Sequence, residues 1–323
     1  MQILRSVPDA ASSPVALTIG NFDGVHLGHQ AMLAKLRTAA AARGLPACVM
    51  TFEPHPREFF APDQAPARLT SLREKLELLA DAGVARTYVC RFNFALAQVT
   101  AQAFIERILV RGLGVRWLQV GDDFRFGARR AGDAAMLRAQ AAGHGYEVEA
   151  MATVELDGQR VSSTAVREAL AAGDVAQAGR LLGRPYSISG RVVRGDQLGR
   201  TLGFPTANVQ MKHNRPPLTG IFAVECARGD GALLRGVASL GVRPTVKAQG
   251  AAPVLEVYLF DFKEEIYSEH VHVDFLHKFR DEEKYVDLET LRQQIERDVA
   301  AAREYFSTDF RTAKAPRRKE NAK

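Results

Sequence analysis

Between Val15 and Val148, short apolar runs alternate with longer segments whose apolar positions recur every three or four residues. VALTI precedes a helix predicted over 28–43, PACVMTF one over 71–82, RTYVC one over 101–111 and RWLQV one over 133–142, and YEVEA ends the series. Strands with intervening helices in this order predict a doubly wound, Rossmann-like parallel sheet of the α/β class. Gly44 and Gly83 stand where a left-handed residue ends a helix, and Thr70 or Ser71 and Thr100 stand where a hydroxyl caps a helix start. Two short helices, 164–172 and 174–182, close this half.

After Arg184-Pro185 the pattern changes. ISGRVVRG, GIFAVECAR, LLRGVASLGV, VLEVYLFDF and HVHVDFLHKF are strand-like runs separated by turn residues with no helix between them, which predicts an antiparallel barrel or sandwich. A final helix over about 287–306 spaces Leu288, Leu291, Ile295, Val299 and Phe306 on one face, to lie against that barrel. A chain of 323 residues exceeds what a single core usually serves. The expected division is 1–183, 184–308 and a basic tail, 309–323, read as disordered.

The charge adds little to this picture. The net +6 is concentrated at the end, where Arg311, Lys314, Arg317, Arg318, Lys319 and Lys323 against Glu320 leave five positive charges. A body close to neutral argues against a phosphate-tracking nucleic-acid surface. Cys48, Cys90 and Cys226 form no C-x-x-C pair and fit a reducing compartment. With no export signal and no long apolar run, the expectation is a cytoplasmic protein without a membrane partner.

The chemistry is concentrated in a few motifs. GNFDGVHLGH, Gly20 to His29, lies between the first strand and the first helix, placing His26 and His29 three residues apart at a helix start. Glycines let backbone amides approach a phosphate, and two imidazoles can donate to an ATP α-phosphate as an incoming oxygen displaces pyrophosphate. The plainer alternative is a pair of histidines capping a helix. In VSSTAVR, a hydroxyl N-cap accounts for the serines but not for Arg167, a cation in a first turn where it costs about 0.3–1 kcal/mol. Ser163, Thr164 and Arg167 are therefore candidate β- and γ-phosphate ligands. TFEPHP after the second strand and GDDFRFG after the fourth face the same crevice, with Phe52, Phe124 and Phe126 serving either the core or a ligand.

In the second half Gly195, Gly199 and Gly203 surround Arg200 and lead into FPTAN. No P-loop motif occurs, so a kinase here is of another kind. A glycine flap with Arg200 can fold over phosphates, and Thr206 and Asn208 offer oxygen ligands to Mg2+. Glu256, in VLEVYLFDF, falls on the strand face opposite Leu255 and Val257, either as a base for a substrate hydroxyl or as a solvent-facing carboxylate.

With GNFDGVHLGH, SSTAVR, GDDFRFG and GRTLGFPTAN in this order, the chain resembles the bacterial bifunctional FAD synthetase family over nearly its whole length. The resemblance implies an N-terminal nucleotidyltransferase-type domain that joins AMP to FMN and a C-terminal six-stranded riboflavin kinase barrel, using Mg2+ with ATP, riboflavin and FMN as substrates. It implies ATP-handling roles for Gly20, Asn21, Asp23, His26, His29, Ser163, Thr164 and Arg167, and flavin contacts for Pro54, Pro56, Asp123, Phe126 and Arg160. For the kinase it implies ATP contacts by Gly199 and Arg200, metal and nucleotide ligation by Thr206 and Asn208, and Glu256 as base. Arg194, Phe222 and Ser239 depart from the family's usual histidine, tyrosine and asparagine. A monomer or weak homo-oligomer is expected. Two other classes compete: an aminoacyl-tRNA synthetase-like enzyme with a similar histidine motif, and a flavin carrier without turnover.

Overall fold

A computed structural model describes residues 1–195, 198–212, 215–242 and 253–309; the expected basic tail falls outside them, apart from Asp309. The chain divides into two compact units, one of Met1–Glu168 with Ala178–Arg184, the other of Ala169–Gln177 with the residues from Pro185 onward.

The first unit is built on six parallel strands in the order β1-β4-β3-β2-β5-β8: β1 (Gln2–Leu4), β2 (Val15–Ile19), β3 (Ala47–Glu53), β4 (Arg86–Arg91), β5 (Val115–Gly121) and β8 (Glu147–Met151). Between them run α1 (Leu27–Ala42), α2 (Pro56–Phe60), α3 (Leu72–Asp81), α4 (Phe94–Ala97), α5 (Ala101–Ala103), the hairpin β6 (Arg125–Phe126) and β7 (Gly132–Asp133), and α6 (Ala134–His144). A hairpin of β9 (Glu155–Leu156) and β10 (Gln159–Arg160), then α7 (Ser163–Ala171) and α8 (Val175–Leu182), follow the sheet.

Alternation along β2 explains the layering. Val15, Leu17 and Ile19 face a cluster with Phe104, Ile105, Leu109 and Leu137, while Ala16 faces Leu33, Leu36 and Leu79 from α1 and α3. Gly44 and Gly83 take left-handed φ of 63° and 78° past α1 and α3. Ser71, not Thr70, caps α3, forming a capping box with Glu74. The helix expected over 101–111 is α-helical only at α5; Phe104–Gly112 is wound as a π-helix, whose wider turn puts Phe104 and Leu109 on one buried side.

The second unit is a closed antiparallel barrel ordered β11-β12-β15-β14-β13-β16: β11 (Tyr186–Val193), β12 (Ala207–Gln210), β13 (Gly220–Ala227), β14 (Leu233–Val242), β15 (Pro253–Leu259) and β16 (His270–Arg280). A one-turn helix, α9 (Leu198–Thr201), interrupts what the sequence pattern presents as strands and turns alone. Phe222, Leu240, Leu255, Val257 and Phe275 are buried, and the Phe222 and Phe275 rings meet edge to face at 5.1 Å. The tyrosine-to-phenylalanine departure at Phe222 thus sits inside the barrel.

The last helix, α10 (Leu288–Asp309), lies on the barrel as expected, through a face that keeps Val299 and Phe306 and loses Leu288. Ala302 and Val299 pack with Ile221 and Val237, and Phe306 is buried, whereas Leu288 is 56% exposed. The apolar spacing runs one turn beyond the surface available to cover it. A bidentate pair from Arg280 to Asp298, at 2.9 and 2.6 Å, fixes the helix midway.

Candidate functional sites

In the first unit β2 and β5 are neighbours at the point where strand order reverses, and the loops beyond their carboxyl ends form the crevice such sheets offer to ligands. The turn after β2 is strained: Phe22, Gly24 and Val25 all have positive φ, at 49°, 81° and 41°. For a β-branched valine this is an outlier that the surroundings must enforce. Gln30 Nε2 donates to the carbonyls of Val25 at 2.9 Å and Leu182 at 2.7 Å, and Arg184 Nη2 donates to that of Gly24 at 2.7 Å.

His26 caps α1, its Nδ1 accepting from the His29 backbone amide at 3.3 Å. An accepting Nδ1 leaves the proton of the neutral ring on Nε2. The two imidazoles stack at 3.7 Å between centroids with 20° between planes, and His29 Nδ1 is buried with no hydrogen-bond partner. Burial is the main reason both rings resist protonation: His26 titrates at about 4 and His29 well below the usual histidine value, with Asp23 pulling His26 the other way. A methyl group on Gly28 would stand 3.1 Å from the His26 ring, so glycine keeps this turn open.

Asp23 explains Arg167. Its buried carboxylate accepts from the backbone amides of Leu69 and Thr70, from the Thr70 hydroxyl, and from the Arg167 guanidinium, whose Nε donates to the Ala67 carbonyl. Burial raises the Asp23 pKa, but Arg167 and the two amides outweigh it and hold the group below the usual carboxylate value. Arg167 is thus tethered on one side, and Ser163 Oγ donates to the Asp23 carbonyl at 2.9 Å. The capping hydroxyl of α7 belongs to Ser162, leaving Thr164 exposed. Gly20 and Asn21 belong to the same turn, the Asn21 carbonyl accepting from Thr51 Oγ1 at 3.2 Å.

The flavin-side candidates divide. Pro54 and Pro56 flank His55, which caps α2. Asp123 and Arg160 form an exposed ion pair at 2.7 Å, worth about 0–1 kcal/mol by itself. Phe126 is core, packed on Phe104 and Phe124. Beside this loop, Arg68 joins Glu53 and Glu58, a cluster whose members lie up to fifteen residues apart in sequence and share no motif.

In the second unit Asn208, Glu256 and Ser239 are cross-strand partners on β12, β15 and β14 and make one row. Val209, Leu255 and Leu240, one step along, are buried in the interior. Glu256 and Ser239 therefore face outward, into a cavity of about 1040 Å³ between the barrel wall and α10, while Asn208 on the same face is buried. Gly199, Thr206, Ser239, Glu256, Tyr258 and Glu282 contribute to its lining, and Ser239 Oγ donates to Glu282 at 2.9 Å. A methyl group on Gly195 would fall 2.4 Å from the Asn208 carboxamide, and one on Gly199 the same distance from the Phe204 carbonyl, so the glycine segment closes directly over Asn208 and Thr206. Arg200 is exposed, and the guanidinium of Arg194, at another departure from the family pattern, lies over the Tyr267 ring.

A nucleotidyltransferase-like parallel-sheet domain followed by a closed six-stranded barrel defines a two-part transferase. The family model described as FAD synthetase matches residues 9–165, and that described as riboflavin kinase matches 182–306. The bifunctional riboflavin kinase/FMN adenylyltransferase of Pseudomonas fluorescens is 53% identical over 88% of this chain and 91% of its own. The protein of the same description from Escherichia coli is 47% identical over 95% and 98%. A crystal structure titled as a macrolide-efflux protein from Streptococcus pneumoniae has a TM-score of 0.79 at 31% identity, covering 93% of this chain and 98% of that one. The chain belongs to the bifunctional riboflavin kinase/FMN adenylyltransferase family.

Proposed function

We propose that the chain works as two centres, an adenylyltransferase over 1–183 and a kinase over 184–308. It phosphorylates riboflavin with ATP to give FMN and ADP, and then joins FMN to the AMP of a second ATP, giving FAD and pyrophosphate. The observation that carries the division of labour is the presence of two separate phosphate-suited constellations, the stacked imidazoles after β2 and the Asn208–Glu256–Ser239 row.

In the kinase the riboflavin hydroxyl gives its proton to Glu256 as its oxygen bonds to the γ-phosphorus and the bond to the β-phosphate oxygen breaks. Gly199 and Arg200 cover the phosphates. Thr206 and Asn208 fit Mg2+, since they offer uncharged oxygens beneath a glycine segment that admits no side chain. Among the described residues no cluster of three acidic, histidine or cysteine side chains forms a protein-only cage, and substrate phosphates complete such a site. When bound, the ion neutralises phosphate charge.

In the adenylyltransferase an FMN phosphate oxygen bonds to the α-phosphorus of ATP, and the bond to pyrophosphate breaks with its electron pair. His26 and His29 donate to the α-phosphate as charge builds, while Ser163, Thr164 and Arg167 take the departing phosphates. Gly20, Asn21 and Asp23 shape the turn around ATP, and Pro54, Pro56, Asp123 and Arg160 border the flavin, with Phe126 in the core behind them. The same proposal places the protein in the cytoplasm as a monomer or weak homo-oligomer with small-molecule partners and no nucleic acid. No described helix is long and apolar enough to cross a membrane.

Purified protein incubated with riboflavin, ATP and Mg2+ should yield FMN and then FAD by chromatography. Tight flavin binding with neither product would instead mark a carrier, and tRNA binding at physiological salt would favour the synthetase-like alternative.

A further inference from the structure

Lys75, on α3, is 3% exposed, yet its ammonium makes no hydrogen bond or ion pair with a described residue. The carboxylates nearby are already engaged. Asp23 is held by Arg167, Glu53 and Glu58 by Arg68, and Glu74 by the Ser71 amide. The ammonium is not among the fully buried unpartnered atoms, so a stem buried along its length ends in a charged tip that solvent still reaches, an arrangement suited to an incoming anion.

Its surroundings show which anion. Asp23 and Glu53 lie close enough to act on the Lys75 charge, and that charge acts in turn on the rings of His29 and His55. Hydrogen bonds place the start of α3 there as well: Leu69 and Thr70, just before it, hold Asp23 of the turn after β2, which faces ATP, and Arg68 holds Glu53 and Glu58 around the loop after β3, which borders the flavin. Two anionic phosphates must be brought within bonding distance there. We propose that Lys75 is a phosphate-binding residue of the adenylyl-transfer step, holding the attacking FMN phosphate against the ATP α-phosphate. No proton moves through it; the P–O bond forms and pyrophosphate leaves as described above. The inference rests on the adenylyltransferase assignment, and the experiment separates the two.

Wild-type protein is first assayed with FMN, ATP and Mg2+; absence of FAD overturns the assignment itself. Lys75→Met and Lys75→Arg are then compared in the full chain. At saturating ATP, Lys75→Met should lower kcat/KM for FMN about 10- to 100-fold, the loss expected for one charged hydrogen bond. Lys75→Arg should recover most of it, and KM for ATP and riboflavin phosphorylation by the same chain should hold. A Lys75 that merely balances the neighbouring carboxylates would lower the melting temperature without a selective change in the FMN term, and that result overturns the proposal. Should Lys75→Met fail to fold, Lys75→Arg and Lys75→Gln carry the same comparison; FMN constants unchanged in both also overturn it.

Discussion

Arg184 Nη2 donates to the Gly24 carbonyl at 2.7 Å across 160 residues of sequence, and its Nη1 reaches the carbonyls of Val25 and Leu182 at 3.3 Å. The strained turn that presents His26 is thus held from the end of α8. Arg184→Ala should cost about 1–3 kcal/mol of stability in the first unit. It should slow FAD formation from FMN about 10- to 100-fold through misplacement of the imidazoles. Thermal melts and a coupled pyrophosphate assay check both, and an unchanged rate would show that the turn holds itself.

Two separate centres predict separable losses. Glu256→Gln should suppress FMN formation about 10²- to 10⁴-fold while FAD formation from supplied FMN continues. His29→Ala should do the reverse, slowing adenylyl transfer about 10²- to 10³-fold. Equal loss of both products in either variant argues against independence.

The buried histidines make the first unit acid-sensitive. Because His26 binds its proton at about 4 when folded and near 6.5 when unfolded, its contribution is complete above pH 6.5 and is lost as pH falls toward 4. That interval is worth about 3 kcal/mol for this one ring. His29 adds in the same direction. The melting temperature should therefore fall steadily between pH 7 and pH 4.5, with a shallower slope in His26→Asn; a flat profile contradicts the burial of these rings.

Gly195→Ala places a methyl group 2.4 Å from the Asn208 carboxamide. FMN formation should fall about 10- to 100-fold, the effect of displacing a substrate-positioning group by roughly 1 Å. Adenylyl transfer to supplied FMN serves as the internal control.

Much of the fold was legible because it is written in local periodicity. Apolar runs marked β2, β3, β4, β5 and β8, and Gly44 and Gly83 marked where helices end. The three-residue β1 was not, since Gln2–Leu4 gains its order from pairing with β4 rather than from its own composition. Leu288 misled because spacing defines a stripe but not how far the covering surface extends. Ala302, too small to mark a stripe, is the residue that seats α10. In the candidate site, motifs pointed to His26, at the start of α1, and to Glu256, midway along β15. Their supports, Arg68, Lys75, Arg184 and the Asp23 contact of Arg167, depend on partners brought together by the fold, and no spacing rule reaches 144 residues.

In the barrel, Asn208, Glu256 and Ser239 occupy matched rungs of three hydrogen-bonded ladders. Side chains alternate between faces, so slipping any one of these strands by a single residue would turn its member of the trio inward and bring an aliphatic neighbour out. Deletions and insertions should accordingly be tolerated far better in the connecting segments than within β12, β14 or β15, where one lost residue should break up the row that the proposed kinase uses.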